Sequence, residues 1–105
     1  MDYSIDLQKI ADALDFDLED VEMLIEVFLE STEESLGLLK TAIQNNDLEE
    51  IFKSAHAIKG SSANLTLVNI SNIAKEIEKD ARDGNYINYI EKYEILNTMI
   101  SNIKR

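Results

Sequence analysis

Apolar residues recur at intervals of three and four along almost the whole chain, and this spacing is the strongest constraint on its fold. One face of an α-helix repeats every 3.6 residues, so the pattern predicts amphipathic helices rather than strands. The chain has no proline and only three glycines, at positions 37, 60 and 84, so little interrupts the helices. We therefore predict an all-α protein.

Breaks in this periodicity divide the chain into five segments. The predicted helices cover about residues 5–14, 18–44, 48–64, 67–83 and 86–103. Asp47 and Glu50 have the spacing of a capping box at the start of the third helix, and Gly84 stands where a left-handed C-terminal cap is expected. Four long helices with short links favour an antiparallel four-helix bundle, with the short N-terminal helix added at one end. We predict a single domain over residues 1–105.

Charge and composition exclude several classes of function. Ten Lys and Arg against 21 Asp and Glu give a formal net charge of -11, which repels a phosphate backbone, so nucleic acid is not expected as a partner. Cysteine is absent, which excludes disulfides and zinc-thiolate sites. The chain has neither an apolar run of about 20 residues nor a signal-peptide pattern. The sequence therefore predicts a soluble, cytoplasmic protein without membrane insertion, with a monomer as the default.

An acidic segment partly imitates the ligand spacing of an EF-hand calcium loop. Its candidate ligands are Asp15, Asp17, Glu19 and Glu26. Asp20, however, stands where such a loop requires glycine, and the helical period runs through the segment. We therefore predict no metal site.

The only histidine, His56, is predicted to point away from the apolar side of the third helix. Lys59, Gly60 and Ala63 follow it at i+3, i+4 and i+7 and share its face. An ordinary imidazole, with a pKa of about 6.5, is partly uncharged near neutral pH and is then nucleophilic. Lys59 is placed to offset negative charge on an incoming phosphoryl group, and Gly60 would let a partner approach the imidazole closely. The alternative is an ordinary surface histidine beside a solvated lysine.

Residues 56–62, HAIKGSS, resemble the H-x-x-K-G-S-[SA] signature of histidine-containing phosphotransfer (HPt) domains. The resemblance extends over about residues 18–83 and implies a four-helix bundle in which His56 is phosphorylated, Lys59 assists the phosphate and Gly60 gives clearance. Many relatives have a Glu or Gln that bonds the other imidazole nitrogen, and Glu78 matches that position. An exposed surface glutamate is the alternative at this position. Thr66 departs from the family, in which glycine is common, and this leaves the geometry of the local turn open.

This resemblance implies a phosphorelay intermediate of two-component signal transduction, which carries a phosphoryl group between aspartates of response-regulator receiver domains. A hybrid sensor histidine kinase is the implied upstream partner. No cofactor is expected in the chain itself, because the Mg²⁺ would belong to the receiver domain. The chain has no nucleotide-binding motif, so no autonomous kinase activity is expected. Two alternatives stay open: a docking module that is never phosphorylated, and the phosphoacceptor domain of a chemotaxis-type histidine kinase.

Two apolar residues, Met23 and Val27, fall on the predicted solvent side of the second helix. Either the short first helix covers them, or they belong to an apolar patch that binds a receiver domain. Exposed residues from the first three helices would make such a patch, with Ala63 of the third helix as a candidate.

Overall fold

The structure is a computed structural model and describes residues 5–103. In this range the chain forms five helices and no strand, which confirms the all-α prediction. The helices are α1 (Leu7–Leu14), α2 (Leu18–Gln44), α3 (Leu48–Asn64), α4 (Val68–Arg82) and α5 (Tyr89–Ser101). None of the helices between residues 5 and 103 is both long and apolar enough to cross a bilayer.

Helices α2 to α5 form a bundle in which each packs against the next and α5 closes back onto α2. Their short links make consecutive helices antiparallel, and α1 packs on α2. Branched aliphatic side chains from all four long helices meet in one core. The most deeply buried large side chains include Ile25, Leu39, Ile51, Ile58, Ile70, Ile77 and Leu96.

Polar caps and left-handed residues set the helix ends. The Asp47 carboxylate accepts the Glu50 backbone N–H at 3.2 Å and so caps α3. The other half of the predicted capping box is replaced, because the Asp47 N–H donates to the Ala42 carbonyl. Gly84 has a φ of +77°, which is the predicted left-handed conformation after α4. Thr66, between α3 and α4, also has a positive φ, +58°. A β-branched residue rarely adopts this conformation, so the turn keeps a geometry that suits glycine although the side chain is threonine.

The last helix begins three residues later than predicted, at Tyr89 rather than near residue 86. The side chains of Tyr86 and Ile87 are exposed, whereas Tyr89 is buried. The Tyr89 hydroxyl donates to the backbone carbonyl of Asn85, whose side-chain amide reaches Asp80 of α4 at 3.4 Å. These contacts hold residues 83–88 as an exposed link, and the chain returns to the core at Tyr89.

Candidate functional site

The antiparallel helices α3 and α4 bring four of the predicted site residues together. His56 lies midway along α3 with 61% of its side chain exposed, as its position on the helix predicted. Lys59 is half-buried one turn further along, and Gly60 is exposed beside it. Glu78 projects from α4 and is only 7% exposed. The exposed imidazole is therefore backed by a buried carboxylate.

Glu78 binds both of the other polar groups at once. Its Oε2 lies 2.8 Å from Nδ1 of His56, and its Oε1 accepts a hydrogen bond from Nζ of Lys59 at 2.9 Å. Each carboxylate oxygen thus has a partner, as a buried charged group requires. The alternative that Glu78 is an exposed surface residue is wrong, because its side chain faces α3 and is enclosed there.

The environment of Glu78 favours its ionised form. Burial raises the pKa of the Glu78 carboxyl, but the hydrogen bonds from Lys59 and His56 and their charges outweigh burial, so the pKa lies below its ordinary value. An ionised carboxylate only accepts hydrogen bonds, so the bond to His56 places the ring proton of a neutral imidazole on Nδ1. The lone pair is then on Nε2, on the other side of the ring.

Two serine hydroxyls fix the backbone that carries Lys59. The Ser71 hydroxyl of α4 donates to the Lys59 carbonyl at 3.2 Å. The hydroxyl of Ser62, which is buried, lies 2.6 Å from the Ile58 carbonyl oxygen and 3.1 Å from that of Lys59. The bond from Ser71 joins α4 directly to the turn of α3 that follows His56. No sequence signal indicates it, because an i−4 carbonyl is the usual partner of a helical serine.

An aromatic side chain also lies against the imidazole. The ring of Phe52, one turn before His56 on α3, is nearly parallel to it, with an interplanar angle of 14° and 5.8 Å between centroids. Phe52 is half-buried and packs against the core. Its helical spacing indicates only a core residue, so its contact with His56 was not predicted.

The surface beside His56 is open at Gly60. A Cβ atom added to this residue would meet no atom of another side chain or helix within 4 Å. Packing inside the domain therefore gives no reason for a glycine at this position. The space remains available to a second molecule.

The first helix does not cover the two apolar residues of α2. Met23 and Val27 are 65% and 64% exposed, so the covered alternative is wrong. They line a shallow groove together with Phe16, Asp20 and Leu24, which we call the α2 groove. Ala63 is exposed on α3 but is not part of this lining.

The acidic segment around the start of α2 does not assemble into a cluster. Asp15 ends α1 in a left-handed conformation, and Asp17 precedes the first turn of α2. In the part of the chain from 5 to 103, no three acidic or histidine side chains gather in a way that could hold a metal ion.

Comparison with known proteins agrees with the geometry. The family model described as "Hpt domain" matches residues 23–105. The phosphorelay intermediate protein YPD1 of Candida albicans (strain SC5314) is 33% identical over 66 residues, which cover 63% of this chain and 36% of that protein. The chain therefore spans about a third of the length of this curated relative.

A solved structure is similar over nearly the whole fold. The crystal structure of histidine-containing phosphotransfer protein B (HptB) from Pseudomonas aeruginosa PAO1 has a TM-score of 0.76 and 25% sequence identity, covering 90% of this chain and 80% of the other. Two sequence comparisons and one structural comparison thus confirm the resemblance inferred from residues 56–62. With the family model matching most of its length, the chain belongs to the Hpt domain family.

Proposed function

We propose that this domain is a phosphorelay intermediate of two-component signal transduction, which carries a phosphoryl group on Nε2 of His56. One observation carries the proposal: Glu78 occupies Nδ1 at 2.8 Å and leaves the lone pair of an exposed imidazole on Nε2. The two relatives, a phosphorelay intermediate and a histidine-containing phosphotransfer protein, support the same role.

The proposed reaction is a reversible in-line transfer from an aspartyl phosphate. The Nε2 lone pair of His56 attacks phosphorus, the P–N bond forms, and the P–O bond breaks with its electron pair passing to the aspartate carboxylate. The proton stays on Nδ1, so the ring becomes cationic, and the Glu78 carboxylate offsets this charge. In the reverse transfer the same proton makes the leaving group a neutral imidazole, which departs far more readily than an imidazolate.

Lys59 supplies the cation of the site. Its ammonium group compensates Glu78 at 2.9 Å and lies one helical turn from His56. As a compact charge on a flexible stem it is suited to follow the oxygens of a phosphoryl group on Nε2. Gly60 leaves the adjoining surface open for the partner that brings the phosphate.

The proposed partners are response-regulator receiver domains, with a hybrid sensor histidine kinase upstream. The receiver contributes the aspartate and the Mg²⁺, so the domain acts as a carrier and has no kinase activity alone. We propose that the receiver docks over the α2 groove, whose exposed Met23 and Val27 form an apolar centre. The absence of cysteine fits the reducing cytoplasm in which we place this exchange, with the domain as a monomer.

The test is transfer of radiolabel from a phosphorylated receiver domain to the wild type and to His56→Gln. We expect acid-labile, base-stable label on the wild type alone. Receiver domains that bind the wild type without labelling it would support a docking module instead. Labelling by an ATP-bound kinase domain in the absence of any receiver would support the phosphoacceptor domain of a chemotaxis-type kinase.

A further inference from the structure

Phe52 lies beside the imidazole in an orientation that its spacing along the helix does not specify. A helical residue at i−4 lies close to its neighbour, but its ring can take many orientations relative to it. Here the Phe52 ring is nearly parallel to the imidazole of His56, at 14° and with 5.8 Å between centroids. These values fall in the range of offset-stacked aromatic pairs.

The rest of the site leaves His56 free to move. Its side chain is 61% exposed, and the hydrogen bond from Nδ1 to Glu78 is a single point about which the ring could still rotate. A second ring that lies nearly parallel beside the imidazole restricts that rotation. Phe52 is itself anchored, because it is half-buried and packs against the core.

We propose that Phe52 is a positioning residue for phosphoryl transfer, which holds the plane of the His56 imidazole so that Nε2 points toward the incoming phosphorus. This inference rests on the proposed function. Glu78 fixes one atom of the ring, and Phe52 fixes the plane in which the ring lies. The two contacts together direct the lone pair that forms the P–N bond.

The stack also acts on the charge that transfer creates. Once Nε2 is bonded to phosphorus and the proton remains on Nδ1, the imidazole ring is cationic. A cation that lies over the face of an aromatic ring, within about 6 Å of its centroid, is attracted to that face. With 5.8 Å between the centroids, the Phe52 ring is near enough to contribute in this way once the imidazole is cationic.

The test compares Phe52→Leu, which keeps an apolar side chain but removes the ring, with Phe52→Tyr, which keeps the ring. Phe28→Leu is the matched control, because it makes the same change in a buried phenylalanine of α2. Three quantities are measured: the chemical shifts of the imidazole protons, the maximal rate of transfer from a phosphorylated receiver, and the receiver concentration at half-maximal rate. Phosphoramidate, a small donor that needs no docking, is the second source of phosphate.

We expect Phe52→Leu to remove the ring-current shift of the imidazole protons and to lower the maximal rate by about two- to tenfold with both donors. The half-maximal receiver concentration should not change. Phe52→Tyr should keep the ring-current shift and the transfer rate of the wild type, and so should Phe28→Leu. Wild-type rates in Phe52→Leu, or unchanged imidazole shifts, would overturn the inference.

Failure of the proposed function gives a different result. If the wild type accepts no phosphate from any donor, the relay role and the positioning role fall together. The imidazole shifts need no phosphate, so they decide separately whether the stack itself exists in solution.

Discussion

Oε2 of Glu78, on α4, lies 2.8 Å from Nδ1 of His56, on α3. The Glu78 side chain is enclosed, whereas the His56 side chain faces solvent. The imidazole can meet a partner because it is exposed, and the carboxylate that bonds its Nδ1 is shielded from water. Since charge-assisted hydrogen bonds are stronger away from bulk solvent, the buried carboxylate has more influence on the imidazole than a surface glutamate would.

Neutralising this carboxylate should slow phosphoryl transfer without unfolding the domain. Glu78→Gln keeps the shape and one acceptor oxygen but loses the charge, so we expect a maximal transfer rate about tenfold lower. Glu76→Gln is the matched control, because it removes the same charge from an exposed position of α4. Equal rates in Glu78→Gln and the wild type would contradict an electrostatic role for Glu78.

The lowered pKa of Glu78 makes the stability of the fold depend on pH. The pKa of the Glu78 carboxyl is lower in the folded protein than its ordinary value of 4.5. Between these two pKa values the unfolded state binds more protons than the folded state, so stability rises with pH in this range. The stabilisation is complete above pH 4.5 and is lost as pH falls through the lowered pKa. We expect the free-energy difference between wild type and Glu78→Gln, from urea unfolding, to shrink as pH falls below 4.5. A difference that stays constant in acid would refute the assignment.

Gly60 should separate stability from function. An added Cβ meets nothing in the domain, and alanine is the better helix former, so Gly60→Ala should raise the free energy of unfolding by about 0.5–1 kcal/mol. The methyl group would stand where a partner approaches His56, and we expect transfer from a receiver to slow at least severalfold. Gly37→Ala, in an equally open helical position, should be stabilised to the same extent and transfer normally. Normal transfer in Gly60→Ala would show that the open space is not used.

Charge in the α2 groove should impair docking and spare the chemistry. We expect the double variant Met23→Asp, Val27→Asp to bind a receiver at least about tenfold more weakly, a loss of about 1.4 kcal/mol. Its labelling by phosphoramidate should equal that of the wild type. Tyr86→Asp is the control, because Tyr86 is as exposed but follows α4 at the opposite end of the bundle. Unchanged receiver affinity would move the docking surface elsewhere.

The left-handed turn between α3 and α4 contains strain that glycine would remove. Thr66 has a φ of +58°, and its side chain is exposed, so Thr66→Gly loses little packing. We expect the free energy of unfolding to rise by about 1 kcal/mol, measured by urea titration. Thr98→Gly, an exposed position inside α5, should change it in the opposite direction by a few tenths. A loss of stability in Thr66→Gly would mean that the threonine side chain contributes more than its conformation costs.

Local patterns were sufficient to predict most of the helices and the face that carries His56. The end of α2 follows from the asparagines that interrupt its apolar spacing, and the start of α3 follows from Asp47. Both are short-range signals. The start of α5 was missed because residues 86–88 continue a plausible helical pattern. Only the contacts of Tyr89 with the link that precedes it decide where the helix begins.

The surroundings of the imidazole could not be predicted in the same way. Glu78 lies among alternating charges that are typical of a solvated face, and its burial depends on how α4 packs against α3. The contact of Ser71 with the Lys59 carbonyl and the orientation of the Phe52 ring also depend on side-chain packing. Spacing along a sequence identifies which residues are neighbours but not how their side chains meet.

The reactive groups all belong to one helical hairpin, α3 and α4, whereas the proposed docking groove is built by α2 and the link before it. With a receiver docked as proposed, substitutions in the groove would change the choice of partner and leave the chemistry intact. A duplicated copy of such a domain could acquire a new signalling route by altering a handful of α2 residues. The same division would offer a practical way to rewire the domain, because residues of the groove can be exchanged without altering His56, Lys59, Gly60 or Glu78.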